Sequence, residues 1–241
     1  MLEFIAARRS ASFLQTPAWA RVKSEWRGER IGFYDGDELT GVGLILYRKL
    51  PKLPRYLAYL PEGPVLDWSR DDIDEHFDAL VAHVKKRQAF AVRVGPAVVH
   101  RMWGTKTIKT AIADDNVTSL TEVAPDAITP EGERVVSVLK RGGWITDNTG
   151  QGFAAGQPQF NFQLSLRHED GTQKSEDELL KGMNQLWRRN IKKAAKLGVE
   201  VKLGTRDDLA RFHQVYLETA KRDGFTGRPL EYFCLLYTSD A

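Results

Sequence analysis

The sequence predicts a mixed α/β (α+β) fold, on the strength of two observations. Segments of alternating apolar and polar residues, typical of strands, are interspersed with segments whose apolar residues recur every three or four positions, typical of helices. Turn-forming pairs such as Asp35-Gly36 and Gly142-Gly143 separate these segments. Because strands and helices that mix along one chain pack as layers, we expect sheets covered by helices.

The first part of the chain predicts a helix followed by a hairpin. Thr16 and Pro17 have the character of a helix cap and a first helical residue. The buried face of this helix is predicted from apolar residues three and four apart: Trp19, Val22 and Trp26. Residues 30–47 predict two strands around a tight turn. Further elements are strands at 56–60 and 64–67, a helix at 71–87, a buried strand at 90–94 and a helix at 133–141.

The second part of the chain begins after a polar, glycine-rich stretch at residues 149–157, where we place a domain boundary. Ser175 and Glu178 have the spacing of a capping box and predict one long helix that ends at Gly198. The other predicted elements are strands at 160–166 and 199–203 and a helix at 206–222.

The composition excludes several classes of protein. With 241 residues, 42% of them apolar and 28% charged, the chain can form one large core or two small ones. It has no apolar run of about 18 residues, which a membrane span requires, and no secretory signal pattern, so we expect a cytoplasmic protein. Cys234 is the only cysteine and the five histidines are scattered, so we expect neither a disulfide nor a metal site.

Positive charge is concentrated in the predicted helix before Gly198. The net charge of the chain is only +3, yet seven Lys or Arg and a single Glu lie between Lys181 and Lys202. Four of these cations form two pairs at i,i+4 spacing: Arg188, Arg189, Lys192 and Lys193. Like charges at this spacing destabilise a helix slightly, and a phosphate partner would relieve that cost. The pattern predicts either a solvated surface or, as we favour, a site for an anionic partner.

The segment DGFTGRPLEYF, residues 223–233, allows two interpretations. It is either a turn between two helices, in which Gly227 and Pro229 set the backbone, or a site where Pro229 holds Arg228 for bidentate contact with a phosphate. In the second interpretation Tyr232 would place its hydroxyl nearby. Composition alone does not separate the two.

Four segments together resemble the FemABX family of peptidoglycan bridge-forming aminoacyltransferases, in a FemX-like form without a coiled-coil arm. They are FLQTPAWARVK from Phe13, LPEGPVLDW from Leu60, LWRRNIKKAAKLGVEV from Leu186 and DGFTGRPLEYF from Asp223. The resemblance implies two GNAT-like acyltransferase domains, residues 1–155 and 156–233, the second of them incomplete. It also implies that no coenzyme A, metal or other cofactor takes part.

The resemblance further implies an activity and its partners. The family transfers an amino acid from aminoacyl-tRNA to the stem-peptide amine of UDP-MurNAc-pentapeptide or its lipid-linked form, which builds the interpeptide bridge. The expected partners are therefore aminoacyl-tRNA and such a precursor, with peripheral association at the inner face of the membrane. Because an aminoacyl ester is already activated, positioning of the amine can replace a catalytic nucleophile.

Individual residues take their roles from this resemblance. Lys23 and Arg228 match residues that bind the diphosphate of the substrate, and Thr226 and Tyr232 match their neighbours in the nucleotide-sugar pocket. Contacts with tRNA or substrate phosphates are expected from the basic helix: Arg188, Arg189, Lys192 and Lys193. Gly95 stands where some relatives carry an acid, and the family's transfer lysine would lie beyond this chain, so the catalytic residues stay unassigned.

The last eight residues, CLLYTSDA at 234–241, do not continue the resemblance. Their back-translation matches a transposon end used in sequencing libraries. We therefore predict that they are sequencing-adapter read-through and that the gene fragment is truncated. The fragment alone is then expected to be inactive and marginally stable.

Two other functions fit parts of the sequence. A GNAT-type N-acyltransferase on a small amine fits the fold, but the sequence lacks the Gln/Arg-x-x-Gly-x-Gly/Ala turn that binds coenzyme A. A non-enzymatic RNA-binding module fits the basic helix, and its binding would fall steeply with salt. Calorimetry with coenzyme A and RNA binding at several salt concentrations distinguish these two from aminoacyl transfer.

Overall fold

A computed structural model describes residues 1–8, 11–146 and 157–239. Backbone contacts divide the chain into two compact units, Met1–Gln157 with Leu235–Ala241, and Pro158–Cys234. The mixed α/β fold is confirmed, since strands and helices alternate along the chain. The predicted domain boundary at 155/156 lies outside the described residues and stays a prediction.

The first unit is built on a five-stranded sheet. Its strands are β1 (Arg27–Asp35), β2 (Glu38–Lys49), β3 (Tyr56–Leu60), β4 (Val65–Leu66) and β5 (Ala89–Val94). β1, β2 and β3 are antiparallel neighbours, β4 pairs with β2, and β5 runs parallel to β3. The predicted hairpin is confirmed as β1 and β2. A separate antiparallel pair is formed by β6 (Arg101–Met102) and β7 (Ala127–Ile128).

The described part of the first unit contains five helices, of which all but the exposed one at Thr105–Ile112 pack on this sheet. They are α1 (Leu2–Ala6), α2 (Pro17–Val22), α3 (Ile73–Lys86), α4 (Thr105–Ile112) and α5 (Pro130–Arg141). α3 forms the crossover that the parallel pairing of β3 and β5 requires. α5 begins where the Thr129 side chain accepts a hydrogen bond from the Gly132 N–H, and it ends at Gly142 as predicted. No helix in the described ranges has the length and apolar character of a membrane span.

The core lies on both faces of β2. Leu44 and Ile45 point to opposite faces, yet both are fully buried. One face is covered by α3 and α5, whose buried apolar side chains share a cluster with Ile45: Phe77, Leu80, Val135 and Val138. On the other face Ile5 of α1 packs with Val42. Helices on both faces exclude water from the central strand.

A fully buried glutamine joins two of the segments that carry the family resemblance. The Gln15 side chain donates a hydrogen bond to the Pro61 carbonyl at 2.6 Å and accepts one from the Leu44 N–H at 2.8 Å. Gly63 packs directly against it, since a Cβ there would lie 2.3 Å from the Gln15 amide carbon. Gln15 therefore ties the FLQTPAW segment to both β2 and the LPEGP turn.

Three details of the first unit differ from the prediction. α2 ends at Val22, so Trp26 lies beyond it. The Thr16 side chain donates to the Phe13 carbonyl and does not cap α2. Phe90 in β5 is 56% exposed, whereas we expected a buried strand, because the register with β3 shifts at this point and leaves Phe90 as a bulge residue without a partner.

Glu29 on β1 accepts hydrogen bonds from three side chains. Tyr47 Oη lies 2.7 Å from Oε2, His83 Nε2 lies 3.1 Å from the same oxygen, and Arg87 Nη2 lies 2.6 Å from Oε1. Burial alone would raise the pKa of Glu29, but these bonds outweigh it and lower the pKa to about 2. The network links two strands of the sheet to α3 and its C-terminal end.

Glu29→Gln is expected to lower the free energy of unfolding at pH 7 by about 2 kcal/mol. The folded-state pKa lies below the ordinary value of 4.5, so the stabilisation is complete above about pH 5 and is lost as the pH falls toward 2. Urea unfolding at pH 7 and pH 3 measures the difference in the free energy of unfolding between wild type and Glu29→Gln. The difference between wild type and variant should narrow at pH 3. A difference in the free energy of unfolding that is the same at both pH values would contradict the prediction. Glu38→Gln, at an exposed position, is the control.

The second unit contains helices α6 (Glu176–Gly182), α7 (Gln185–Lys196) and α8 (Leu209–Asp223), and α9 (Leu230–Ser239) begins in it. The single long helix predicted after Ser175 is wrong: Met183 is extended and divides it into α6 and α7. Asn184 starts α7 by accepting a hydrogen bond from the Trp187 N–H at 2.9 Å. The capping box of Ser175 and Glu178 is confirmed.

The two strands predicted for the second unit are not formed. Residues 160–166 and 199–203 carry no ladder, and their apolar side chains are open to solvent, with Phe162 93% and Val201 99% exposed. A strand requires a neighbour for its backbone hydrogen bonds, and the described residues of this unit offer only an isolated bridge elsewhere. Ala220 is the one buried hydrophobic residue among them.

Candidate substrate-binding site

Arg228 lies in the turn that joins α8 to α9. α8 ends at Gly224, whose φ of 71° is in the left-handed region that glycine adopts readily. Pro229 follows Arg228 directly and accepts a hydrogen bond from the Tyr232 N–H at 3.1 Å in the first turn of α9. A residue before proline is restricted to extended backbone conformations, so the local sequence limits how Arg228 can be arranged.

Both backbone polar groups of Arg228 are hydrogen-bonded to α8. Its N–H donates to Tyr216 Oη at 3.0 Å, and its carbonyl accepts from His213 Nε2 at 2.9 Å. The guanidinium lies over the Tyr232 ring, 5.3 Å from the centroid. Arg228 is exposed, and no carboxylate of the described residues lies within ion-pair distance of it. Its charge is therefore available to an external anion.

The structure places the other two residues predicted for this pocket beside Arg228 along the chain. Thr226 is exposed in the same turn, and Tyr232 is half-buried in the first turn of α9. The contact that Tyr232 makes with Arg228 is through its ring, whereas we had expected its hydroxyl to face the site. Together the three form one compact segment between the two helices.

Lys23 is in the first unit, directly after α2. Its side chain is 16% exposed, its Nζ lies 5.3 Å from the centre of the Trp19 ring, and it is 3.9 Å from a carboxylate oxygen of Glu25. The two diphosphate-binding residues predicted from the sequence thus belong to different units of the chain.

The four basic residues of the predicted anion-binding helix all lie on α7 and are exposed: Arg188, Arg189, Lys192 and Lys193. Within the described part of the chain, none of them forms an ion pair with a carboxylate. The apolar side of the same helix is also open, with Trp187 62% and Ile191 41% exposed. α7 therefore presents unneutralised positive charge to solvent.

Two residues of this candidate site, His213 and Tyr216, were not predicted from the sequence. They are three apart on α8, and nothing in their spacing alone distinguishes them from ordinary helix residues. Gly227 was predicted to set the backbone of the turn, and the structure adds a packing reason for glycine there. A Cβ at Gly227 would lie 2.9 Å from Leu217 Cδ2 and 3.3 Å from Tyr216 Cε1, so glycine allows the turn to approach α8 closely.

The arrangement can bind an anion but offers no evident catalytic group. A guanidinium supplies several N–H donors in a planar fork that matches phosphate oxygens. Among the described residues, no three His, Cys, Asp or Glu side chains lie together as metal ligands would. These residues therefore offer positive charge and N–H donors to an anion.

Comparison with known proteins identifies the family. A model of the FemAB family matches residues 2–239. The chain belongs to the FemAB family. The resemblance found in the sequence is thereby confirmed. The family match continues past Phe233, and the origin of residues 234–241 as adapter read-through stays a prediction.

Among its FemAB relatives are proteins named "Lipid II:glycine glycyltransferase". The one from Staphylococcus epidermidis (strain RP62A) is 25% identical over 236 residues, 97% of this chain and 49% of the relative. Those of Staphylococcus haemolyticus and Staphylococcus aureus (strain MRSA252) are 24% and 25% identical, over 98% and 97% of this chain and 49% and 48% of their own lengths. The chain therefore spans about half the length of these relatives.

A crystal structure of FemX has the same FemAB fold. It superposes with a TM-score of 0.65 at 24% identity, over 98% of this chain and 52% of FemX. The link between α7 and α8, residues 197–208, contains only a short 3-10 turn at Arg206–Asp208, and the absence of a coiled-coil arm stays a prediction. The assignment of each unit to the GNAT fold stays a prediction.

Proposed function

We propose that the protein is an aminoacyltransferase of cell-wall synthesis. It transfers an amino acid from aminoacyl-tRNA to the stem-peptide amine of a UDP-MurNAc-pentapeptide or lipid-linked peptidoglycan precursor and so builds the interpeptide bridge. FemAB membership and the names of the relatives support the reaction class. The protein works in the cytoplasm, associates peripherally with the inner face of the membrane and uses no cofactor.

The observation that carries the proposal is the guanidinium of Arg228. It is exposed, lies over the Tyr232 ring, and sits on a backbone that is hydrogen-bonded on both sides. We assign it to the diphosphate of the precursor, with Thr226 and Tyr232 at the adjoining nucleotide sugar. Lys23 is a second phosphate ligand in this proposal, supported by its place in the FLQTPAWARVK segment.

The exposed cations of α7 are assigned to phosphates of the tRNA. Four of the five cations on this short helix lie at i,i+4 spacing, and none of the four is neutralised by a described carboxylate, which favours contact with a polyanion. These residues are Arg188, Arg189, Lys192 and Lys193. Phosphate contacts of this kind give affinity that decreases with salt and depends little on base sequence.

The reaction needs positioning more than it needs a nucleophile. The ester that links an amino acid to tRNA is already activated, so the enzyme must bring the amine to it and accept a proton. Effective concentrations from such positioning account for up to about 7–11 kcal/mol of a barrier in ideal cases. Binding of the remote diphosphate supplies the energy that holds the amine in place.

The transfer of labelled amino acids from a set of charged tRNAs to UDP-MurNAc-pentapeptide and to lipid II tests the proposal. We expect transfer by the protein expressed from the gene restored with unfragmented genomic DNA. We expect binding without transfer by the 241-residue chain, because the resemblance places the family's transfer lysine beyond residue 241 and the chain spans about half the length of its relatives. Absence of transfer by the restored protein with every charged tRNA would overturn the proposed function. Turnover by the 241-residue chain would contradict only the expectation that this chain alone is inactive.

A further inference from the structure

One face of α8 holds the turn that carries Arg228. His213 and Tyr216 are three residues apart on that helix and so project from the same side. Both are half-buried, while most of their neighbours on α8 are exposed. A helix face with two ordered polar side chains is a rigid element against which a loop can be fixed.

These two side chains contact a single residue of the turn. Tyr216 Oη accepts the Arg228 N–H at 3.0 Å, and His213 Nε2 donates to the Arg228 carbonyl at 2.9 Å. The bonds act on the peptide planes before and after the Arg228 Cα, so they restrict its φ and ψ together. The direction of the Cα–Cβ bond, and hence of the guanidinium, follows from those two angles.

Packing around the turn also restricts the position of the Arg228 backbone. Gly227 packs closely against α8, since a Cβ there would lie 2.9 Å from Leu217 Cδ2 and 3.3 Å from Tyr216 Cε1. The Phe233 ring lies 5.0 Å from that of Tyr216 and 5.1 Å from that of Phe212, both edge-to-face, which anchors the start of α9 on α8. Both ends of the Arg228 segment are thereby attached to one helix.

We propose that Tyr216 and His213 are positioning residues that orient Arg228 for the diphosphate group of its ligand. The proposal rests on the proposed function of Arg228 and adds two residues to it. Neither side chain need touch the ligand, because a guanidinium whose backbone is already ordered loses less freedom on binding. Their effect should therefore appear only through Arg228.

Calorimetry of UDP-MurNAc-pentapeptide binding to the 241-residue chain is the test. Tyr216→Phe removes one hydroxyl and keeps the aromatic packing, and it should weaken binding about fivefold, the equivalent of one hydrogen bond. His213→Leu should weaken it to a similar extent. His213→Gln keeps an N–H donor near the position of Nε2 and should restore most of the affinity.

A double-mutant cycle separates positioning from a general structural effect. In an Arg228→Ala background, Tyr216→Phe should have no further effect on affinity. An equal loss in both backgrounds, or no loss in either, would overturn the positioning role. If instead Arg228→Ala itself leaves binding unchanged, the proposed function of Arg228 fails. In that event ¹⁵N relaxation of the Arg228 Nε still tests the positioning, since Tyr216→Phe should increase its mobility and an unchanged mobility would refute it.

Discussion

Arg228→Ala is expected to weaken the binding of UDP-MurNAc-pentapeptide about 100-fold while leaving the fold intact. A bidentate, charge-assisted contact with a phosphate is worth about 2–3 kcal/mol, which corresponds to about 30- to 150-fold in affinity. The side chain is exposed, so its removal should change the free energy of unfolding by less than about 0.5 kcal/mol. Calorimetry gives the affinity and urea unfolding the stability.

Two control variants sharpen this experiment. Arg211→Ala removes an exposed arginine from α8 of the same unit and should leave affinity near that of the wild type. Arg228→Lys keeps the charge but not the planar fork, so it should recover only part of the affinity. Equal losses for Arg211→Ala and Arg228→Ala would indicate that general positive charge, and not a specific phosphate site, binds the ligand.

Gln15→Leu is expected to destabilise the first unit by about 3 kcal/mol. The substitution leaves the Leu44 N–H and the Pro61 carbonyl without the partner that each has now, in a region where both residues are fully buried. Each unsatisfied buried group costs about 1–3 kcal/mol. Urea unfolding followed by tryptophan fluorescence should show a lower midpoint with an unchanged m-value.

The matched control is Gln214→Leu, which replaces an exposed glutamine on α8. It should move the free energy of unfolding by no more than about 0.5 kcal/mol. A midpoint for Gln15→Leu equal to that of the wild type would show that the two hydrogen bonds do not stabilise the first unit. Gly63→Ala should also destabilise it, because the added methyl would collide with the Gln15 amide.

Local signals in the sequence predicted local structure well. The hairpin of β1 and β2, the capping box at Ser175 and the end of α7 at Gly198 depend on neighbouring residues, and the structure confirms them. The segment of Arg228 was also recognisable, because its proline and flanking aromatics are close in sequence. By contrast, the break at Asn184 was missed, since a capping side chain in the middle of a helical pattern is a weak signal.

Strand predictions failed where long-range pairing was needed. The alternation of apolar and polar residues at 160–166 and 199–203 is typical of strands. Such alternation shows only that a segment would have one apolar and one polar face if it joined a sheet. The ladder itself requires neighbouring strands, and the described part of the second unit contains none. In β5 the exposure of Phe90 likewise depends on the pairing with β3, because a register shift leaves this residue without a partner.

By itself, the sequence determined the fold class and the family, and it predicted Arg228 as a phosphate-binding residue. This was possible because helix caps, turns and short motifs depend on residues that are close together in the sequence. Only the tertiary structure decided that Gln15 is a buried link between the FLQTPAW segment, β2 and the LPEGP turn, and that Tyr216 and His213 bind the Arg228 backbone. Hydrogen-bond partners and close contacts between distant segments depend on distances in space, which the order of residues does not contain.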